Sequence, residues 1–148
     1  MNKARIRKSL PTETEAIIKL WLNSNIQAHP FIDSGYWISN VDFMREALPS
    51  ADVYIYEQEG EIAGFIGLNG HHIEGLFVDP RHQSQGIGTS LIEFIKQLHF
   101  TLTLTTYKKN EKTQQFYRKH NFVLIKERID TNTNEAELLM RWNRACPI

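Results

Sequence analysis

With 148 residues, 41% of them apolar, the chain is long enough for one compact core and lies well outside the disordered range. Its formal net charge is zero, so the overall balance gives no reason to expect nucleic acid or an anionic membrane as partner. No stretch approaches the roughly 20 apolar residues that cross a bilayer. Residues 1–10 lack a signal peptide's apolar run, and Cys146, the only cysteine, has no intramolecular disulfide partner. The expectation is one cytoplasmic domain over residues 1–148 with a free thiol near its end.

Residues 4–8 alternate as a first strand. Pro11 and Thr12 open a helix, with Thr12 as cap and Glu15 completing a capping box. Ile17, Ile18, Trp21 and Leu22 fall on one side at helical spacing. Residues 28–37 are irregular and aromatic, and a second helix is expected over 39–48, stopped by Pro49. Residues 52–57 and 62–68 form a hairpin about Glu59-Gly60, and a further strand over 73–78 ends at Asp79-Pro80. A helix over 88–99 turns Leu91, Ile92, Ile95 and Leu98 inward and Ser90, Glu93, Lys96 and Gln97 to water. Threonines and leucines alternate over 102–107, Asn110 caps a helix over 111–120, and strands over 122–128 and 137–142 follow. The fold class is α/β, a mixed central sheet of six to seven strands with helices on both faces.

The junction over residues 76–91 carries the chemistry. A strand runs through Asp79-Pro80 into Gln83-Ser84-Gln85-Gly86-Ile87-Gly88, and an amphipathic helix follows at once. A helix start has four backbone N–H groups without intrahelical partners and about half a positive charge. Gly86 and Gly88 would leave a ligand free to approach them, which suits a phosphate or pyrophosphate. There is no Gly-Lys-Ser/Thr ending, so this is not a P-loop, and a dinucleotide fingerprint would need glycine where Leu91 stands.

Gln83-Ser84-Gln85-Gly86-Ile87-Gly88 resembles the Gln/Arg-x-x-Gly-x-Gly/Ala signature of the GNAT superfamily of acyl-CoA N-acyltransferases. Asn110, Phe116-Tyr117 and Asn121-Phe122 resemble its second motif, and the order of elements agrees over nearly the whole chain. The resemblance implies the GNAT fold and acetyl-CoA as co-substrate, with no metal. The backbone of Leu76, Phe77 and Val78 would pair with the pantetheine arm. Amides from Gln83, Ser84, Gln85, Gly86, Ile87, Gly88 and Thr89 would hold the pyrophosphate. Asn110 and Phe116 would lie along the cofactor, Asn110 near its thioester end. Lys108, Lys109 and Lys112 are either a solvated helix end or a contact for the 3′-phosphate.

Acetyl transfer needs a neutral amine, a donor for the charge that builds on the thioester oxygen, and a proton for the departing thiolate. Tyr117, at the family's Phe-Tyr position, would be the general acid; its plain alternative is core packing. Some relatives carry a glutamate base on the strand before the second motif, where this chain has Thr105. Glu74 is the candidate base, with His72 second or acting through water, since the two share a strand face. His71 and His72 point to opposite faces and do not converge on a metal. His29, Phe31, Tyr36 and Trp37 would form the acceptor wall, with His29 able to assist proton removal. His-Pro-Phe with Tyr36-Trp37 also resembles small bacterial members whose acceptors include protein lysines.

The reading is an N-acetyltransferase acting on a primary amine, a protein lysine or N-terminus or a small molecule, as monomer or homodimer. A non-catalytic acyl-CoA-binding or sensing domain is the alternative. Acetylation of charged transfer RNA is disfavoured by the neutral balance.

Overall fold

The computed structural model describes residues 3–145; the reading of Cys146 as a free thiol lies outside them. Seven strands form one sheet in the order β1-β2-β3-β4-β5-β7-β6: β1 (Ala4–Lys8), β2 (Asp52–Gln58), β3 (Glu61–Asn69), β4 (His72–Val78), β5 (Thr101–Tyr107), β6 (Val123–Asp130) and β7 (Glu135–Asn143). Five helices flank it: α1 (Thr14–Ala28), α2 (Ser34–Ser39), α3 (Val41–Ala47), α4 (Ile87–Lys96) and α5 (Glu111–Lys119). All adjacent strands are antiparallel except β4 and β5.

Strand alternation sorts side chains between two layers. Val53, Ile55 and Phe65 pack on one face with Ile17 of α1. Ile66, Leu68, Ile73, Leu102, Leu104 and Met140 pack on the other with Ile87, Leu91, Ile92 and Ile95 of α4 and with Tyr117 and Phe122. Full burial of each α4 aliphatic contributes about 1.5–3 kcal/mol, which fixes the start of that helix against the sheet. The β2–β3 turn takes a left-handed backbone at both Glu59 and Gly60, the conformation that matches strand twist in a tight hairpin.

Several local expectations are corrected. Only half of a capping box forms, two residues early: Pro11 opens a short 3₁₀ turn, and the Glu13 carboxylate accepts from the Leu10 amide, while the Leu10 side chain has no acceptor to return the bond. Glu13 is also clasped by Arg7, whose guanidinium holds its carboxyl below the usual range, while Glu15 pairs with Arg45. The helix expected over 39–48 is α3, which starts at Val41, and a separate short helix, α2, precedes it across Asn40, so Tyr36 and Trp37 are helical rather than irregular. Helix α4 ends at Lys96, leaving Leu98 52% exposed. Lys96 does not face water: its Nζ donates to the His120 carbonyl at 2.6 Å and lies over Trp142, capping the negative end of α5.

Gly64 seats α4 on the sheet. A Cβ there would stand 2.8 Å from the Phe77 carbonyl oxygen and 3.1 Å from Ile87 Cγ2. Gly64→Ala is expected to lower unfolding stability by about 1–3 kcal/mol through overpacking, measured by urea denaturation against the parent protein. An unchanged midpoint would mean that this contact relaxes without cost.

Candidate active site

Strands β4 and β5 pair only at His72 with Thr103 and Ile73 with Leu104. Beyond that point the register against β3 shifts: Ile73 faces Leu68, Gly75 faces Gly67, and Glu74 is the extra residue of a bulge. A bulge bends its strand, and from Glu74 onward β4 has β3 on one edge and no strand on the other. The second edge of Leu76, Phe77 and Val78 therefore offers half-buried amides and carbonyls to any extended ligand that enters the gap.

At the far end of this edge, Asp79 accepts from the Arg81 amide and turns the chain into the loop before α4. Gly86 is the N-cap of α4 with φ +77°, and a Cβ added there would meet nothing within 4 Å. Its carbonyl takes the Ser90 amide, and no side chain caps the helix, so the amides of Ile87, Gly88 and Thr89 face outward from the helix start. Gln83, Ser84, Gln85 and Thr89 are exposed around them. Gly88 has a packing role as well: a Cβ there would stand 3.2 Å from the Phe116 ring, so this glycine lets α4 and α5 approach.

Asn110 caps α5, its side-chain oxygen accepting from the Thr113 amide at 3.2 Å. Buried Gln114 clamps the same junction by donating to the Tyr107 and Lys108 carbonyls. Tyr117, one turn further, is buried against Phe116 and Phe122, and burial alone pushes its phenol above the ordinary value. It stays protonated at any physiological pH. Lys108 and Lys109 are paired with Glu127 and Glu135, and Lys109 also lies over the Phe31 ring.

On the opposite face of the sheet, a cavity of about 310 Å³ opens between the helices and the bulge. Trp21, Tyr36, Trp37, Phe43, Met44, Phe65 and Phe77 supply its apolar wall, and Gly67 and Gly75 lie side by side in its floor. Glu74 is the one carboxylate in the lining, and it accepts from Asn69 at 3.2 Å. His72 shares the Glu74 face but bonds the Thr103 hydroxyl at 2.7 Å. Thr105, half-buried on β5, brings no carboxylate.

The four aromatic residues expected to form the acceptor wall do assemble, around a fifth that sequence reasoning missed. The ring of Tyr107 lies 5.2 Å from His29, 5.8 Å from Phe31 and 6.5 Å from Trp37. Its hydroxyl donates to Asp130 at 2.7 Å, and burial together with that bond pushes its phenol upward. The available signal was an aromatic closing a threonine-leucine strand just before Asn110. Trp21 and Asn69 were also missed as lining, because nothing local distinguishes them from core or turn residues, and Phe77, expected along the pantetheine arm through its backbone, also lines this cavity. Among the described residues, no three His, Cys, Asp or Glu side chains converge as a metal site, and no helix is long and apolar enough to cross a membrane.

This geometry, a splayed parallel pair leading to an uncapped helix start, agrees with three comparisons. A family profile described as "Acetyltransferase (GNAT) domain" matches residues 49–124. The chain is 32% identical to the peptidyl-lysine N-acetyltransferase YiaC of Escherichia coli (strain K12) over 139 residues, covering 93% of this chain and 95% of that protein. The solution structure of apo-form YjaB from Escherichia coli superposes with a TM-score of 0.83 at 27% identity, over 94% of this chain and 97% of the other. The fold is shared with the PaiA N-acetyltransferase of Thermoplasma acidophilum solved with coenzyme A, at TM-score 0.75 and 16% identity over 96% and 99%. With the profile covering the bulged strand, the phosphate-type loop and α5, this chain belongs to the GNAT acetyltransferase family.

Proposed function

We propose that this acetyl-CoA-dependent N-acetyltransferase takes a protein lysine side chain as its acceptor. The observation that carries the reading is the cavity beside Glu74: an apolar wall, a floor where Gly67 contributes no side chain, and a single carboxylate. A lysine presents an apolar stem and one cationic tip, which matches that lining. The names of YiaC and YjaB, peptidyl-lysine N-acetyltransferases, support it.

The cofactor's extended arm enters the β4–β5 gap and bonds the free edge of Leu76, Phe77 and Val78. Its pyrophosphate rests on the amides of Ile87, Gly88 and Thr89, at the positive end of α4. Gln83, Ser84, Gln85 and Gly86 line that approach, and Asn110 and Phe116 lie along the arm. Glu74 takes the proton from the lysine ammonium, directly or through water, with His72 close behind on the same face. The neutral nitrogen attacks the thioester carbon, the carbon–sulfur bond breaks with its electron pair leaving on sulfur, and the new amide nitrogen sheds its second proton to solvent. Tyr117 gives that sulfur its phenolic proton and recovers one from solvent. Tyr36 and Trp37 hold the stem of the lysine, with Phe31 packed beyond them against Tyr107, so positioning supplies much of the rate.

The test is release of free coenzyme A with lysine peptides, N-terminal peptides and small amines. Lysine peptides are expected to turn over fastest, and Gly67→Val is expected to raise their KM about tenfold or more by filling the cavity floor, with acetyl-CoA affinity unchanged. Faster turnover of small amines, or acetyl-CoA binding without turnover of any amine, would overturn the reading.

Three further outcomes test the machinery. Gly86→Glu sets a carboxylate in the open space before α4 and is expected to abolish acetyl-CoA binding in calorimetry; retained binding would move the pyrophosphate elsewhere. Tyr117→Phe is expected to lower kcat about 10²-fold or more with little change in acetyl-CoA affinity. Because burial raises the Tyr117 phenol, its proton is lost only above the ordinary value of about 10. Wild-type kcat/KM should therefore climb with pH as the acceptor amine deprotonates, without a Tyr117-dependent fall below about pH 10. A fall below pH 9 that disappears in Tyr117→Phe would contradict this assignment.

A further inference from the structure

His29 ends α1 on the acceptor side, yet its ring reaches a residue 81 positions away on the cofactor side. Its Nδ1 lies 3.1 Å from the Asn25 carbonyl oxygen. A carbonyl only accepts, so Nδ1 carries the proton and Nε2 carries the lone pair. That lone pair meets the Asn110 side-chain nitrogen at 3.2 Å. The Asn110 amide has no freedom to turn around, because its oxygen holds the Thr113 amide at the start of α5. The whole relay runs in one sense: Asn110 donates to His29, and His29 donates to Asn25.

The ring is also boxed. Trp37 stacks on it at 5.4 Å and 27°, and Phe31 and Tyr107 meet it edge-on. Burial holds the imidazole below its ordinary value, which favours the neutral form that the relay needs. No carboxylate bonds it. The titratable groups around the box are the Tyr36 phenol on α2, the Tyr107 hydroxyl on β5 with Asp130 of β6 behind it, Glu137 of β7 near Tyr36, and Lys109 over Phe31, paired with Glu135. Both ring nitrogens are occupied, so the imidazole has no free lone pair with which to accept a substrate proton.

We propose that His29 is a positioning residue: it fixes the Asn110 side chain at the thioester end of the cofactor site and ties that side chain to the aromatic acceptor wall. The proposal rests on the reading of Asn110 as a cofactor-side residue. Protonation of His29 would set an N–H against the Asn110 NH₂ group, breaking this bond or forcing the amide to release Thr113.

The experiment combines nitrogen NMR of the His29 ring with a double-mutant cycle. In the wild-type protein the ring is expected in the Nδ1–H neutral tautomer at pH 7. The opposite tautomer, or a charged ring, would overturn the proposal whatever the enzyme's substrate proves to be. His29→Phe keeps a ring in the box and removes both hydrogen bonds; it is expected to cost about fivefold to tenfold in kcat/KM for acetyl-CoA, in line with one lost neutral hydrogen bond. His29→Gln, whose amide offers both a donor and an acceptor, should recover part of that loss. In an Asn110→Ala background, His29→Phe should have no further effect. Independent, multiplying losses would overturn the proposal, as would equal defects in His29→Phe and His29→Gln. Absence of turnover in the wild type would instead refute the lysine reading and leave the NMR result standing.

Discussion

The separation of β4 from β5 after two residue pairs is the constraint on which the rest of the molecule depends. Each strand is held elsewhere, β4 by β3 and β5 along its whole length by β7, so the two halves of the sheet can diverge without losing their other partners. What keeps them together is the single apolar cluster beneath α4 and α5, which takes residues from β3, β4, β5 and β7 at once. Divergence leaves backbone groups on the free edge of β4 half-buried and without a strand partner, an arrangement that water or a ligand must satisfy. On the proposed reading, a pantetheine arm, with amides spaced along an extended chain, would meet that demand in the manner of an added strand.

The same bulge that ends the pairing also supplies the acceptor side. Glu74 is the inserted residue, and Gly75, next to it, faces Gly67 across the ladder. The Phe77 ring folds back over Gly75, a position where any Cβ would collide with it. One local irregularity thus frees an edge of β4, leaves Gly67 bare in the cavity floor, and sets a carboxylate in the cavity lining. Tyr117 and Glu74 lie on opposite faces of the sheet, so chemistry that uses both has to occur in the gap itself.

Features whose cause is local were legible in the sequence. Alternation gave β1 with its observed bounds, the Asn110 cap is where its side chain demanded, and the glycine loop opens α4. Features decided by distant partners were not. The capping box moved because Arg7, on β1, captures Glu13, and Arg45 takes Glu15 from 30 residues away. Lys96 reads as a solvated helix residue until the C-terminal carbonyls of α5 arrive beside it. Gly88 matches the family's glycine, and its packing against the Phe116 ring is visible only in the tertiary fold. The aromatic residues of 28–37 are adjacent in sequence, yet Tyr107 and Trp21 join their cluster only through the tertiary fold.

Burial acts on the ionisable groups around the gap in one direction. It lowers His29 and raises Tyr36, Tyr107 and Tyr117, so each is held in its neutral form. A low-dielectric site of this kind disfavours an ammonium as strongly as it disfavours a phenolate. On the lysine reading, the acceptor's charge is therefore useful only at the rim, where exposed Glu74 attracts it; the aromatic wall further in favours the amine that has already given up its proton. Discrimination then follows from desolvation as well as shape. A permanently charged acceptor could be drawn to Glu74 and still be excluded from the gap, whereas an amine on an apolar stem passes from one environment to the other as its proton leaves.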